Sequence, residues 1–174
     1  GFTFWYALDL IYPNTNNEEK YSKRVRRHSY LMFSIIVLQI IYGAFTAGLK
    51  AGLFYNTWPK MGSTFMPETV YSLGSLWQNI FENPAGVQFI HRTLAFLVVV
   101  LVLFTWETAR RMPLTKVQRK ASNFMLTAVV FQFVLGVITI LYAVPVAMGV
   151  LHQTGAFLLF ASSLYFIHSL RKGV

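Results

Sequence analysis

Residues 121–170 read ASNFMLTAVVFQFVLGVITILYAVPVAMGVLHQTGAFLLFASSLYFIHSL, fifty consecutive positions without an Asp, Glu, Lys or Arg. About 20 apolar residues cross the hydrocarbon of a bilayer, so this run holds two spanning helices with a tight turn at Pro145. Working outward, residues 29–49 are also free of charge, and residues 84–108 are apolar apart from His91, Arg92 and Glu107. The expected fold is an all-α polytopic membrane protein: a four-transmembrane-helix bundle with helices near 29–49, 84–109, 121–143 and 146–170.

Composition agrees. Of 174 residues 55% are hydrophobic and 12% charged, with a mean hydropathy of +0.50, which excludes a disordered or ordinary soluble chain. The opening GFTFWYALDLIY is apolar but too short to span, and it lacks the basic start of a signal peptide. Residues 1–12 are therefore expected to be the end of a preceding transmembrane helix in something longer. Residues 13–28 form a basic inner loop, and 29–174 the four-helix unit with a long outer loop at 50–83.

The net charge of +9 matters through its placement. Five basic residues fall within 20–27, five within 110–120, and two are Arg171 and Lys172, whereas the opposite ends carry only Lys50 and Lys60. That is the positive-inside pattern, which places the basic loops in the cytoplasm or matrix. The RVRR run is thus a topology signal at lipid headgroups, and no nucleic-acid partner is expected. With no cysteine in the chain, disulfides, thiolate metal sites and Cys-attached haem drop out, and any metal must use histidine.

A repeat organises the bundle. HRTLAFL at 91–97 returns as HQTGAFL at 152–158, each seven residues after a proline. VLQIIYGAFTAGL from Val37 likewise aligns with VFQFVLGVITILY from Val130, sharing Gln39, Gly43, Thr46 and Gln132, Gly136, Thr139. The unit reads as a duplicated helical hairpin whose first copy carries extra residues in its outer loop. Asn83 before Pro84 is a good N-cap, and Pro145 can start the last helix in the same way. In the outer loop, Val70, Leu73, Trp77 and Phe81 recur at helical spacing, which predicts a short amphipathic helix lying on the surface. The loop's aromatic residues serve an interfacial belt or a lid over the histidines.

At about 1.5 Å rise per residue, His91 and His152 sit at one depth on parallel helices, roughly 10 Å below their prolines. A polar side chain inside lipid is expensive without a partner and marks function. Ala95 and Ala156 lie one turn below, with Gly155 beside the second, leaving room for a flat object. A porphyrin ligated on each axial side by a neutral imidazole satisfies depth, symmetry and clearance; two histidines without carboxylates make a poor zinc site. Arg92 can meet haem propionates or reach out to lipid phosphate. His28 and His168 read as interfacial histidines, with a second haem as the alternative. For Gln39 and Gln132, a hydrogen bond across a close helix contact suffices, with a role in the haem pocket as the alternative.

GAFTAGLKAGLFYNTWPKMG, NIFENPAGVQFIHR and VPVAMGVLHQTGAF resemble the haem A synthase family, in its fifth helix and outer loop, its sixth helix and its eighth helix. The resemblance implies an eight-helix pseudo-symmetric protein of which this chain is the C-terminal half. It also implies a haem b whose iron has bis-His ligation by His91 and His152. The implied reaction is oxidation of the C8 methyl of haem O to the formyl group of haem A, for cytochrome oxidase assembly. The substrate haem O and an intramembrane glutamate belong to the N-terminal half of the family, and nothing here matches that half, so no catalytic residue is assigned in this chain. Haem O synthase and cytochrome oxidase assembly factors are the implied protein partners, in a bacterial plasma membrane or a mitochondrial inner membrane. A stand-alone bis-histidine b-type cytochrome that carries electrons, and a cofactor-free scaffold, are the competing readings.

Overall fold

The computed structural model describes residues 1–12 and 23–171. All regular structure among them is helical, apart from one isolated bridge between Met61 and Thr64. A short helix α1 (Phe2–Ile11) precedes α2 (Lys23–Gly48); after the outer loop come α3 (Leu76–Phe81), α4 (Pro84–Arg110), α5 (Lys116–Leu141) and α6 (Val146–Ser169). Helices α2, α4, α5 and α6 are each long and apolar enough to cross a membrane. The chain is an integral membrane protein with four such spans.

Two helices begin earlier than their uncharged runs. α2 starts at Lys23 and α5 at Lys116, so part of each basic cluster is helical and carries the helix toward the headgroup region. Thr115 opens α5 with a capping box, accepting from the Gln118 backbone N–H while the Gln118 side chain accepts from the N–H of Thr115. The basic segment expected at 13–28 lies outside the described residues as far as position 22, and the rest of it is helix.

Asn83 caps α4 as expected, its side-chain oxygen accepting from the N–H groups of Ala85 and Gly86. Pro145 serves α6 as the N-cap itself rather than as its first turn. The turn before it is tight: Ala143 and Val144 both hold φ near +55°, with values of 56° and 55°. For a β-branched valine this is an unusual backbone, imposed by reversing the chain between two packed helices.

The single amphipathic helix expected in the outer loop is two pieces. A 3-10 turn covers Glu68–Tyr71, and α3 begins only after Ser75, whose hydroxyl caps it by accepting from the N–H of Gln78. Between them, Asn79 closes the bend: its amide donates to the carbonyls of Leu73 and Ser75 at 2.9 and 2.8 Å, and its oxygen accepts from the N–H of Leu73. Asn83 ties this cap to α4 by donating to the carbonyl of Thr69 at 2.7 Å.

The buried apolar core lies toward the basic ends of the helices. It joins Met32 and Ile36 of α2, Val98 and Val102 of α4, Met125 and Val129 of α5, and Leu159 and Phe166 of α6. Outward-facing Ile, Leu, Val and Phe side chains along the spans stay exposed, as lipid contact requires. Helix α1 docks on α6, where Asp9 accepts from Nε2 of His168 at 2.9 Å and pairs with Arg171, and Trp5 packs edge-on against the same imidazole.

Candidate functional site

Above the core, toward the outer loop, α4 and α6 present His91 and His152 to each other. Their ring centroids are 6.5 Å apart and their planes cross at 81°. Both side chains are partly buried.

Each ring is held by the preceding helix of its own hairpin. Gln39 of α2 donates its amide to Nε2 of His91 at 3.4 Å; Gln132 of α5 donates to Nδ1 of His152 at 3.2 Å and to the carbonyl of His152 at 2.9 Å. One turn beyond each glutamine a glycine lies against the ring. A Cβ on Gly43 would stand 3.3 Å from Cε1 of His91, and one on Gly136 would stand 2.9 Å from Cε1 of His152. Thr46 and Thr139 close the frame by donating to the carbonyls four residues back.

These contacts are the glutamine hydrogen bonds across a close helix contact that the sequence led one to expect, and the groups they reach are the two histidines. Residues i and i+4 share a helix face, so Gln39 with Gly43, and Gln132 with Gly136, form a notch that takes an imidazole. The signal was the shared Gln-x-x-x-Gly spacing. The amide N–H groups of the two glutamines donate to ring nitrogens, at His91 Nε2 and His152 Nδ1. Gly155 is used differently from the expectation of open clearance, since the side-chain oxygen of Gln132 packs where its Cβ would be.

Arg92 reaches the outer loop. Its guanidinium donates to the carbonyls of Tyr55, Thr57 and Lys60, at 2.7, 2.9 and 3.2 Å, and Gln88 adds a second bond to the carbonyl of Tyr55 at 3.0 Å. Asn56 donates to the carbonyl of Ile140 at the end of α5, and Trp58 meets Phe133 edge-on. The loop is thereby fastened to both hairpins at the histidine end of the bundle.

Three buried atoms around the rings have no hydrogen-bond partner: Nδ1 of His91 and the side-chain oxygens of Gln39 and Gln132. Buried polar atoms are rarely left so in a finished site. Among the described residues no group of three or more His, Cys, Asp or Glu could hold a metal ion. His91 and His152 are the imidazoles that face each other at this end of the bundle. The other two histidines stand apart: His28 packs at a tilt against Phe104, and His168 is engaged by Asp9 and Trp5. Glu107 is paired with Arg110 and Arg111.

Fold and site together define a class, integral membrane proteins of four helical spans with a paired-histidine site beneath an outer loop. The chain belongs to the family of cytochrome oxidase assembly proteins designated COX15-CtaA, which matches residues 1–164. A protein named Heme A synthase from Flavobacterium johnsoniae is 42% identical over 175 residues, covering 99% of this chain and 50% of its own length. Another from Wolbachia pipientis wMel is 45% identical over 154 residues, covering 88% and 42%. Heme A synthase COX15 of Bos taurus is 35% identical over 171 residues, covering 98% and 41%. The chain spans about half the length of the curated relatives it matches. No solved structure matches it.

Proposed function

We propose that this chain forms the C-terminal half of a haem A synthase, with His91 and His152 as the two axial ligands of one haem b. The observation that carries the reading is the 6.5 Å separation of the two rings. With metal–imidazole bonds of about 2 Å on each side, two ring centres flanking one metal stand about 6 Å apart. The unpartnered side-chain oxygens of Gln39 and Gln132 support the same reading, because an imidazole that gives one nitrogen to a metal leaves its other N–H in need of an acceptor. When bound, haem b supplies reversible one-electron chemistry.

The residues of this chain do the rest. Gln39 and Gln132 fix the rotation of the two rings, and Gly43 and Gly136 let those rings lie flush against α2 and α5. The outer loop, fastened by Arg92, covers the site from water. Arg92 has further donors on its guanidinium, which suit it to the propionates of the haem. Equivalent Gln, Gly and Thr contacts in α2–α4 and α5–α6 support the duplicated hairpin, and the half-length match supports an eight-helix whole built from two such units.

On this reading the electrons pass through this half, while the partner half holds haem O and its C8 methyl is oxidised to the formyl group of haem A. The basic ends of the helices face the cytoplasm of a bacterial plasma membrane, with the matrix side of a mitochondrial inner membrane as the alternative, and haem O synthase and cytochrome oxidase assembly factors are the neighbours it serves. The name shared by the relatives weighs for this enzyme over a stand-alone electron-carrying cytochrome. Membranes containing the full-length protein, supplied with haem O, should accumulate haem A; haem O that stays unchanged beside a fully haem-loaded protein would favour the carrier instead.

A further inference from the structure

At the basic end of the bundle, nineteen residues and about 28 Å of helix below His91, the end of α4 and the first turns of α5 enclose a cleft of about 450 Å³. We propose that this cleft binds a phosphate group, of the kind carried by the headgroup of an anionic phospholipid.

Its walls are cationic. Arg110, Arg111 and Arg119 line it, against one carboxylate, that of Glu107. Both carboxylate oxygens are occupied: one accepts from Nε of Arg110 and the other from Nε of Arg111 at 2.9 Å. Arg119 makes no side-chain hydrogen bond or ion pair with the described residues, so its fork of donors is available. Arg110 is held flat, its guanidinium carbon 4.9 Å from the ring centre of Trp106, and that indole is fixed in turn by donating to the side-chain oxygen of Asn123 at 2.9 Å.

The floor gives the second, independent observation. Ser122 lines the cleft at 1% exposure, and its hydroxyl has no hydrogen-bond partner. A serine within a helix ordinarily returns its hydroxyl to the carbonyl one turn back. Here a buried donor is left for something that enters between the arginines. Guanidinium groups pair with phosphate through two parallel bonds and are only weakly hydrated, so they suit a tetrahedral oxyanion at a membrane boundary. The indole beside them belongs to the same interfacial zone.

The test uses the full-length protein in nanodiscs of phosphatidylcholine alone, of phosphatidylcholine with phosphatidylglycerol, and of phosphatidylcholine with added inorganic phosphate. Retained lipid is read by native mass spectrometry and the unfolding midpoint by circular dichroism. The wild type should retain phosphatidylglycerol and unfold later in its presence. Arg119→Gln should lower that retention roughly fivefold; Ser122→Ala should lower it as well, and Lys50→Gln, at the other end of the bundle, should not. If inorganic phosphate alone gives the same stabilisation with the same sensitivity to Arg119→Gln, the cleft is a phosphate site fed from solution. Equal behaviour in all three preparations, or equal effects of Arg119→Gln and Lys50→Gln, would overturn the assignment. Arg119 is exposed, so its substitution leaves the fold intact.

Discussion

His91 and His152, sixty-one residues apart in sequence, stand with ring centroids 6.5 Å apart and planes at 81°. Neither ring reaches this position alone. Each leans on a glutamine and a glycine of the helix before it, and the two supports are built alike.

The glycines differ in tolerance. A methyl group on Gly136 would meet His152 at 2.9 Å, nearer than atoms pack without moving, whereas one on Gly43 would meet His91 at 3.3 Å. Gly136→Ala should therefore displace its histidine and lower stability by about 1–3 kcal/mol, with Gly43→Ala the milder change. Unfolding midpoints of the two variants in detergent check the order, and equal effects would contradict it.

Replacing Gln39 or Gln132 by leucine keeps the bulk and removes the amide, whose unpartnered oxygen can accept the ring N–H of a metal-bound histidine once the amide turns over. Groups that orient a metal-bound histidine typically contribute about 10–100-fold in affinity, so each variant should load haem more weakly by an amount in that range while its helical content stays unchanged. Haem titration followed by absorbance measures it. Affinity within twofold of wild type would show the glutamines to be packing only.

Arg92 collects three loop carbonyls with one planar fork, which the single ammonium of a lysine does not reproduce. Both Arg92→Lys and Arg92→Gln should open the segment around Lys60. Trypsin should then cut there faster, roughly tenfold or more, since cleavage follows the population of locally opened chain. An unchanged digestion rate would mean that the Asn56 and Gln88 bonds hold the loop without it.

Asn83 both caps α4 and ties down the outer loop, and it is 4% exposed. Asn83→Ala removes a cap worth about 0.5–2 kcal/mol and leaves the carbonyl of buried Val70 without the donor now 3.3 Å away, at about 1–3 kcal/mol more. The combined loss should appear as a lower unfolding midpoint, larger than that of Ser75→Ala at the exposed cap of α3.

Much of this was legible in the residues. Lipid excludes charge, so the four spans announce themselves by its absence, and His91 and His152 stand out because a repeated cassette places them at one depth. The helix starts at Lys23 and Lys116 were less visible, because long basic side chains let a helix run on past its apolar section. The Thr115–Gln118 spacing did carry a cap signal. Partners of Arg92 could not be read, since carbonyl acceptors belong to every residue alike. The break in the outer loop depends on Asn79, whose bonds form only once the chain has bent. Pairing of Gln39 with His91 spans fifty-two positions and exists only when two helices pack.

The most direct measurement is the reduced-minus-oxidised absorbance spectrum of the purified full-length protein, compared with those of His91→Ala and His152→Ala. The wild type should show a low-spin, six-coordinate b-type haem, and each substitution should abolish that signal while helical content is preserved. A low-spin signal undiminished in both variants would contradict ligation by this pair.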